Sequence, residues 1–129
     1  MREMLRELLR ADSQRDPHHW VATLAGHVYV GIVLWGVVAM GLDMWTAALI
    51  VPPAYLLLWE GLQFWMLERH YRTWALFWDG VLDAVGVAFG CFGAAFLGLN
   101  FDHMALICFL ALMPVAVVGW FVREARRPC

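Results

Sequence analysis

The sequence predicts an all-α polytopic membrane protein with four transmembrane helices in a compact bundle. The chain of 129 residues is 63% hydrophobic and only 16% charged, which is typical of membrane proteins and not of soluble domains of this size. Its apolar residues also fall into four long continuous runs, whereas a transmembrane barrel needs alternating strands of about 10 residues. We therefore expect a single membrane domain over residues 1–129.

Each predicted span contains the roughly 20 apolar residues that are needed to cross about 30 Å of hydrocarbon. The spans cover residues 20–42, 44–67, 74–99 and 104–122. The proline pair Pro52-Pro53 lies in the second span and predicts a distortion of that helix near Leu49. Tryptophans near the span ends are expected at the lipid headgroups; these are Trp20, Trp45, Trp65, Trp74 and Trp120.

The distribution of arginine predicts the orientation of the chain. All nine basic residues are arginines, and they lie before the first span, between the second and third spans, and after the fourth. The other two loops carry the acids Asp43 and Asp102 instead. Because basic residues in short loops mark the cytoplasmic side, we expect both termini in the cytoplasm.

Two segments lie outside the predicted spans. Residues 1–17 separate apolar and arginine side chains onto different helical faces, so they predict a short amphipathic helix on the cytoplasmic membrane surface. A partly ordered tail that carries orientation charges is the alternative, and charge throughout this segment argues against a cleavable signal peptide. Residues 123–129 are expected to form a cytoplasmic tail, and the terminal Cys129 has no specific acylation motif.

Ionisable residues inside the spans need a reason to be there, because a charge at the bilayer centre costs roughly 2.5 to 3.5 kcal/mol on insertion scales. Asp79 and Asp83 lie within the third span. Counting 1.5 Å per residue from the predicted span ends brings polar residues of three spans to a similar depth in the cytoplasmic half. This set consists of His27, Glu60, Gln63, Asp79 and Asp83, with the hydroxyls of Tyr29 and Tyr55 nearby.

The third span also carries a stripe of acidic and small residues. Asp79, Asp83, Gly86, Gly90 and Gly93 follow one another at steps of four, three, four and three, which puts them on one helical face. Glycines at this spacing let another helix approach closely. The three glycines are therefore predicted helix-packing positions, and the two carboxylates are predicted to face the other helices.

The residue types leave several chemistries open. Carboxylates and imidazole are ligands of zinc, manganese and iron, so a divalent metal is a candidate cofactor, although no HExxH-like spacing supports it. Its candidate ligands are His27, Glu60, Asp79 and Asp83. The same group could form a structural hydrogen-bond network, bind a polar ligand or lipid headgroup, or conduct protons. A membrane enzyme would use one of the carboxyl groups as acid or base, but no nucleophile motif supports it, and enzymatic activity stays open.

The spacing of these residues resembles the core motif of VanZ-like membrane proteins. The positions that match are Glu60, Gln63, Arg72, Asp79, Gly86 and Gly90. Asp83 stands where the family has Asn, which adds a negative charge to the group. Upstream, the segment from Asp16 to Trp20 and the pair His27 and Tyr29 are similar to the opening pattern of the family. The resemblance covers residues 16–93, about 60% of the chain.

The resemblance implies a ligand-binding group composed of His27, Glu60, Gln63, Arg72, Asp79 and Asp83. Our first functional hypothesis is accordingly a VanZ-like protein of the bacterial inner membrane, with an inward-facing acidic pocket for an envelope lipid, a polar ligand or a cation, linked to cell-envelope processes or glycopeptide resistance. The family is named for a member associated with teicoplanin resistance. The alternative is a structural, holin-like or accessory subunit in which the polar cluster and the glycines serve helix packing and assembly, as in a homo-oligomer. The bilayer is the expected partner in either case, and no nucleic acid is expected.

Overall fold

The structure of the chain, a computed structural model, describes residues 16–66 and 74–125. Within these ranges it is all-helical, which confirms the predicted secondary-structure class. The elements are α1 (Pro17–Ala39), α2 (Met44–Tyr55), a π-helix (Leu56–Glu60), α3 (Gly61–Met66), α4 (Trp74–Gly98) and α5 (Asp102–Glu124). The predictions for the N-terminal amphipathic helix, Arg72 and Cys129 lie outside the described residues.

Four helices are long and apolar enough to cross a membrane, as predicted: Pro17–Ala39, Met44–Met66, Phe77–Gly98 and Asp102–Glu124. The second of them joins α2, the π-helix and α3. The first helix begins three residues before the predicted start of its span because Asp16 caps it, with its side chain accepting a hydrogen bond from the His18 amide at 3.1 Å. Asp43 caps α2 in the same way, through the Thr46 amide at 2.9 Å.

Helix α4 lies at the centre of the packing and contacts α1, α2 and α5. Half of its most apolar segment is buried, against 17% or less in each of the other three apolar helices. Its inward face forms the main apolar core together with α2. The buried members of this core are Ala48, Val51, Tyr55, Ala84, Val87, Cys91 and Ala95. A polar residue on the same face of α4 is therefore held against the other helices.

The backbones of α1 and α4 are in direct contact. A methyl group added at Gly90 would overlap the carbonyl of Val28, and one added at Gly31 would overlap the backbone of Val87. The thiol of Cys91 donates a hydrogen bond to the Gly31 carbonyl at 3.3 Å. Because the two helices approach this closely, polar side chains one turn away on their facing surfaces must meet.

Trp20 differs from its predicted location at the lipid headgroups. Its side chain is only 1% exposed, and its indole packs against Gly119 of α5 and beneath the guanidinium of Arg123, 4.1 Å from the ring centroid. The prediction was wrong for this residue because position near a span end does not specify which way a side chain faces. Trp65 and Trp74, which are 74% and 71% exposed, have the accessibility expected of headgroup anchors.

The second apolar helix departs from α-helical geometry downstream of its two prolines and not near Leu49. Pro52 and Pro53 lie inside α2, where each lacks the amide hydrogen of an ordinary helical residue. The π-helix follows at Leu56–Glu60, and the Gly61 amide bonds to the Leu56 carbonyl five residues earlier. The wider turn changes the direction in which the residues after it face, including Glu60.

Candidate functional site

Three helices bring one titratable side chain each to a common point. His27 of α1, Glu60 of the π-helix and Asp83 of α4 each offer one atom of a metal-ligand type, and these atoms lie within 4.8 Å of one another. The three residues, called the triad below, lie about 9 to 15 Å along their helices from the same end of the packed structure. Asp83 is the buried charged residue among those described, with 7% exposure.

The imidazole of His27 makes its polar contacts through one ring nitrogen, Nδ1. Its Nδ1 lies 2.9 Å from the carbonyl oxygen of Thr23 and 3.3 Å from Oδ1 of Asp83. A carbonyl oxygen only accepts hydrogen bonds, so Nδ1 carries the hydrogen, and in the neutral ring Nε2 carries the lone pair. The ring therefore keeps one nitrogen able to accept a proton or to bind a metal.

Glu60 is oriented by the π-helix and by a glycine on α4. Its Oε1 accepts a hydrogen bond from the hydroxyl of Tyr55 at 2.9 Å, although five α-helical steps would leave two side chains about 140° apart around the axis. The π-helix between them brings them to the same side. The carboxylate also lies over Gly80, where an added Cβ would stand 3.0 Å from Oε2. The Tyr55 ring meets His27 edge-on, with 5.9 Å between centroids.

Asp79 lies one turn from Asp83 but has a different partner. Its Oδ1 accepts a hydrogen bond from Nη2 of Arg123 at 2.8 Å, and Nη1 of that arginine donates to the carbonyl of Gly119 at 3.3 Å. The guanidinium also stacks on Trp20. The carboxylate of Asp79 is thus tied to α5, and the four candidate metal ligands divide into the triad and a neighbouring ion pair, the Asp79–Arg123 pair.

The other predicted polar residues lie around or outside the triad. Gln63 is half-buried, and within residues 16–66 and 74–125 it makes no hydrogen bond to a triad side chain. Tyr29 is 68% exposed and faces away, so Tyr55 is the tyrosine that supplies a hydroxyl. Arg72 lies outside the described residues.

The three glycines of the predicted stripe lie at contacts within the chain. A Cβ at Gly86 would stand 3.1 Å from the Cβ of His27, and a Cβ at Gly93 would stand 2.5 Å from the ring of Phe109. With Gly90 against the Val28 backbone, the stripe faces α1 over one part of its length and α5 over another. The contact at Gly86, one turn beyond Asp83, holds α1 where His27 reaches that carboxylate.

Sequence reasoning missed two residues of this region. Arg123 was assigned to the cytoplasmic tail because it lies one residue beyond the predicted fourth span, whereas Asp79 lies five residues inside the third. At 1.5 Å per residue the two positions differ in depth by about 9 Å, so depth did not indicate the pair. The sequence does not indicate a role for Gly80, because this glycine lies beside Asp79 and not on the stripe. Its role appears only when Glu60 packs on it.

Two apolar grooves lie away from the triad. One of about 470 Å³ lies between Trp20, Leu82 and the half of α5 that runs from Pro114 to Arg123, and a second of about 210 Å³ is lined by α4 and Cys108. Neither groove includes a residue of the triad. The ligand-type atoms of the triad lie within 4.8 Å of one another, a separation that a single ion or water molecule can bridge.

No protein-family model matches this chain, and neither a curated protein nor a solved structure shows significant similarity to it.

Proposed function

We propose that this chain is a VanZ-like protein of the bacterial inner membrane whose four helices form a bundle with both termini in the cytoplasm. Its triad binds a small polar or charged ligand in the cytoplasmic half of the bilayer. One observation carries the proposal: an imidazole and two carboxylates from three apolar helices meet within 4.8 Å. The match of Glu60, Gln63, Asp79 and two glycines to the VanZ-like motif supports it.

The charge of the triad favours a ligand. Arg123 is the one arginine within residues 16–66 and 74–125, and it is bonded to Asp79. The His27 imidazole is the basic group of the triad, so these three side chains carry a net negative charge when both carboxylates are ionised. An uncompensated charge inside hydrocarbon is costly. A bound cation, or a ligand that donates hydrogen bonds, removes that cost.

A ligand site and a structural network respond in opposite ways to loss of one carboxylate. If the triad is a site, Asp83→Asn and Glu60→Gln relieve repulsion between like charges, and the ligand-free protein stays as stable or becomes more stable. If the triad is a structural network, each substitution leaves a buried group unsatisfied and costs about 1 to 3 kcal/mol. Thermal unfolding of the purified protein in detergent separates the two.

The matched control is Asp102→Asn, which removes an exposed carboxylate at the start of α5. We expect a loss of at most about 0.3 to 1 kcal/mol in the control, because Asp102 lies in the first turn of α5, and no change or an increase in stability in the triad variants. A loss of stability in both triad variants that exceeds the loss in the control would overturn the ligand-site proposal.

The cellular role is tested by antibiotic susceptibility. The VanZ-like motif supports a role in the cell envelope, so expression of the wild-type protein in a susceptible bacterium is expected to raise the teicoplanin concentration that inhibits growth. The Glu60→Gln variant, which changes a position that matches the motif, is expected to lose the effect at matched abundance in the membrane. An equal effect from both proteins would disconnect the triad from resistance.

The orientation has its own test. The arginines before the first span and after the fourth support a cytoplasmic location for both termini. A green fluorescent protein fused to the C-terminus is then expected to fluoresce, and alkaline phosphatase at the same position is expected to be inactive. The reverse pattern would contradict the proposed orientation.

A structural or holin-like accessory role is the second candidate, and the glycine contacts favour a packing role for the stripe. These contacts lie within one chain, at Val28 for Gly90 and at Phe109 for Gly93. A holin-like subunit would permeabilise cells on overexpression. Uptake of a membrane-impermeant dye measures this, and our main proposal expects none.

A further inference from the structure

We propose that the ligand of the triad is a divalent transition-metal ion, bound by one imidazole nitrogen of His27 and by a carboxylate oxygen from each of Glu60 and Asp83. This inference rests on the proposed function and narrows its ligand to one class. A metal with bonds of about 2.0 to 2.2 Å needs neighbouring ligand atoms about 3.3 to 3.6 Å apart. The ligand-type atoms of the triad lie within 4.8 Å of one another, so binding needs movements of about 1 Å together with a rotation of the imidazole that brings its lone-pair nitrogen to the carboxylates.

The charge of the triad matches a divalent ion. With a neutral imidazole, Glu60 and Asp83 contribute two negative charges when both are ionised. A divalent cation or two protons bring the sum to zero, whereas a monovalent cation or a single proton leaves one negative charge; of the two neutral states, only the one with the cation also uses the lone pair of the imidazole. Inside an apolar span the neutral combination is the least costly one. In the neighbouring pair, Arg123 lies 2.8 Å from the Asp79 carboxylate and supplies it with a positive charge.

The hydrogen bonds around the triad resemble those that support metal ligands in other proteins. A metal-bound histidine almost always donates its other ring hydrogen to a carbonyl or a carboxylate. Nδ1 of His27 does so to the Thr23 carbonyl, which leaves Nε2 as the ligand nitrogen. Because Nδ1 is the nitrogen that lies 3.3 Å from Asp83, the imidazole must turn to bring Nε2 to the carboxylates. Another ligand is supported in a similar way at Glu60, where the Tyr55 hydroxyl donates a hydrogen bond to Oε1 and Oε2 lies against Gly80.

The donor set selects among metals. One imidazole with two carboxylates suits zinc, manganese or ferrous iron, whereas magnesium and calcium prefer sites built from oxygen alone. Three protein ligands also leave one position of a tetrahedral ion open, as in sites where the metal binds water or a substrate.

Metal binding is measured on the tag-free, full-length protein in lipid nanodiscs after chelator treatment, by titration with Zn²⁺ or Mn²⁺ and elemental analysis. We expect about one equivalent per chain. His27→Gln, Glu60→Gln and Asp83→Asn are each expected to weaken binding at least about tenfold, the lower limit for loss of a group that supports a metal site. Asp79→Asn is expected to weaken it less than Asp83→Asn does.

Two controls separate the triad from exposed ligands. The double variant His18→Gln/His19→Gln removes two exposed neighbouring imidazoles at the start of α1, and Asp102→Asn removes an exposed carboxylate. Both are expected to keep the wild-type stoichiometry and affinity. Binding that disappears in the histidine double variant and persists in the triad variants would overturn the proposal.

A spectroscopic measurement on the wild-type protein avoids dependence on variant folding. Pulsed electron paramagnetic resonance of the Mn²⁺-loaded protein is expected to detect one coordinated nitrogen, from His27. Absence of saturable binding, or a bound ion without nitrogen, would refute the metal assignment. If the metal is refuted while Asp83→Asn and Glu60→Gln keep or gain stability, the polar-ligand site stands and only the identity of its ligand is wrong; destabilisation by both substitutions would refute the site itself.

Discussion

The close contact between α1 and α4 predicts that Gly90→Ala and Gly26→Ala differ in their effects on stability. Gly90 and Gly26 both lie inside long helices, so each substitution gains about 1 kcal/mol of helix propensity. A Cβ at Gly26 meets no atom within 4 Å, whereas one at Gly90 overlaps the Val28 carbonyl and stands 3.1 Å from the Ile32 amide nitrogen. These are backbone atoms, so no side-chain rotation relieves the overlap and the helices must separate.

Overpacking of this kind typically costs about 1 to 3 kcal/mol. Because the gain in propensity is common to both variants, Gly90→Ala is expected to be less stable than Gly26→Ala by that amount, a factor of roughly 5 to 140 in the folding equilibrium. Unfolding by a denaturing detergent in mixed micelles, followed by tryptophan fluorescence, measures the difference. Equal stabilities would refute the close approach of the two backbones.

Three further predictions concern contacts outside the triad or beside it. Arg123→Met is expected to destabilise the protein by about 1 to 3 kcal/mol, because it leaves the partly buried Asp79 carboxylate without its 2.8 Å bond; in a double-mutant cycle with Asp79→Asn the two effects should be less than additive. Tyr55→Phe removes one hydrogen bond and should cost about 0.5 to 1.5 kcal/mol in the same unfolding assay. Hydrogen bonds from the side chain and the amide of Thr46 hold the pKa of Asp43 below its usual range, so the cap stabilises α2 at neutral pH and is lost as the pH falls through that lowered pKa. Asp43→Ala should therefore be less stable than the wild type at pH 7, and the difference in stability between the two proteins should become smaller in strong acid.

The four helices could be predicted because hydropathy and length do not depend on tertiary packing. The meeting of His27, Glu60 and Asp83 was also within reach, since a fixed rise per residue converts sequence position into depth. Depth alone does not specify the direction in which a side chain faces. That is why Asp79 was grouped with the triad, although it bonds to Arg123, and why Trp20 was expected at the headgroups although it is buried.

The pairing of Tyr55 with Glu60 lay beyond sequence reasoning for a different reason. A separation of five residues does not bring side chains together on an α-helix. The pair forms because a π-helix lies between the two residues. No motif in Leu56–Glu60 predicts that π-helix. The prolines upstream signalled a distortion of this helix but not its position.

The presence of a metal ion in the triad is tested most directly by anomalous diffraction from crystals of the wild-type protein grown with Mn²⁺ or Zn²⁺. We predict one anomalous peak at about 2.0 to 2.2 Å from a nitrogen of His27 and from carboxylate oxygens of Glu60 and Asp83. A map with no peak at the triad, or with peaks only at exposed residues such as His18 and His19, would contradict the metal site.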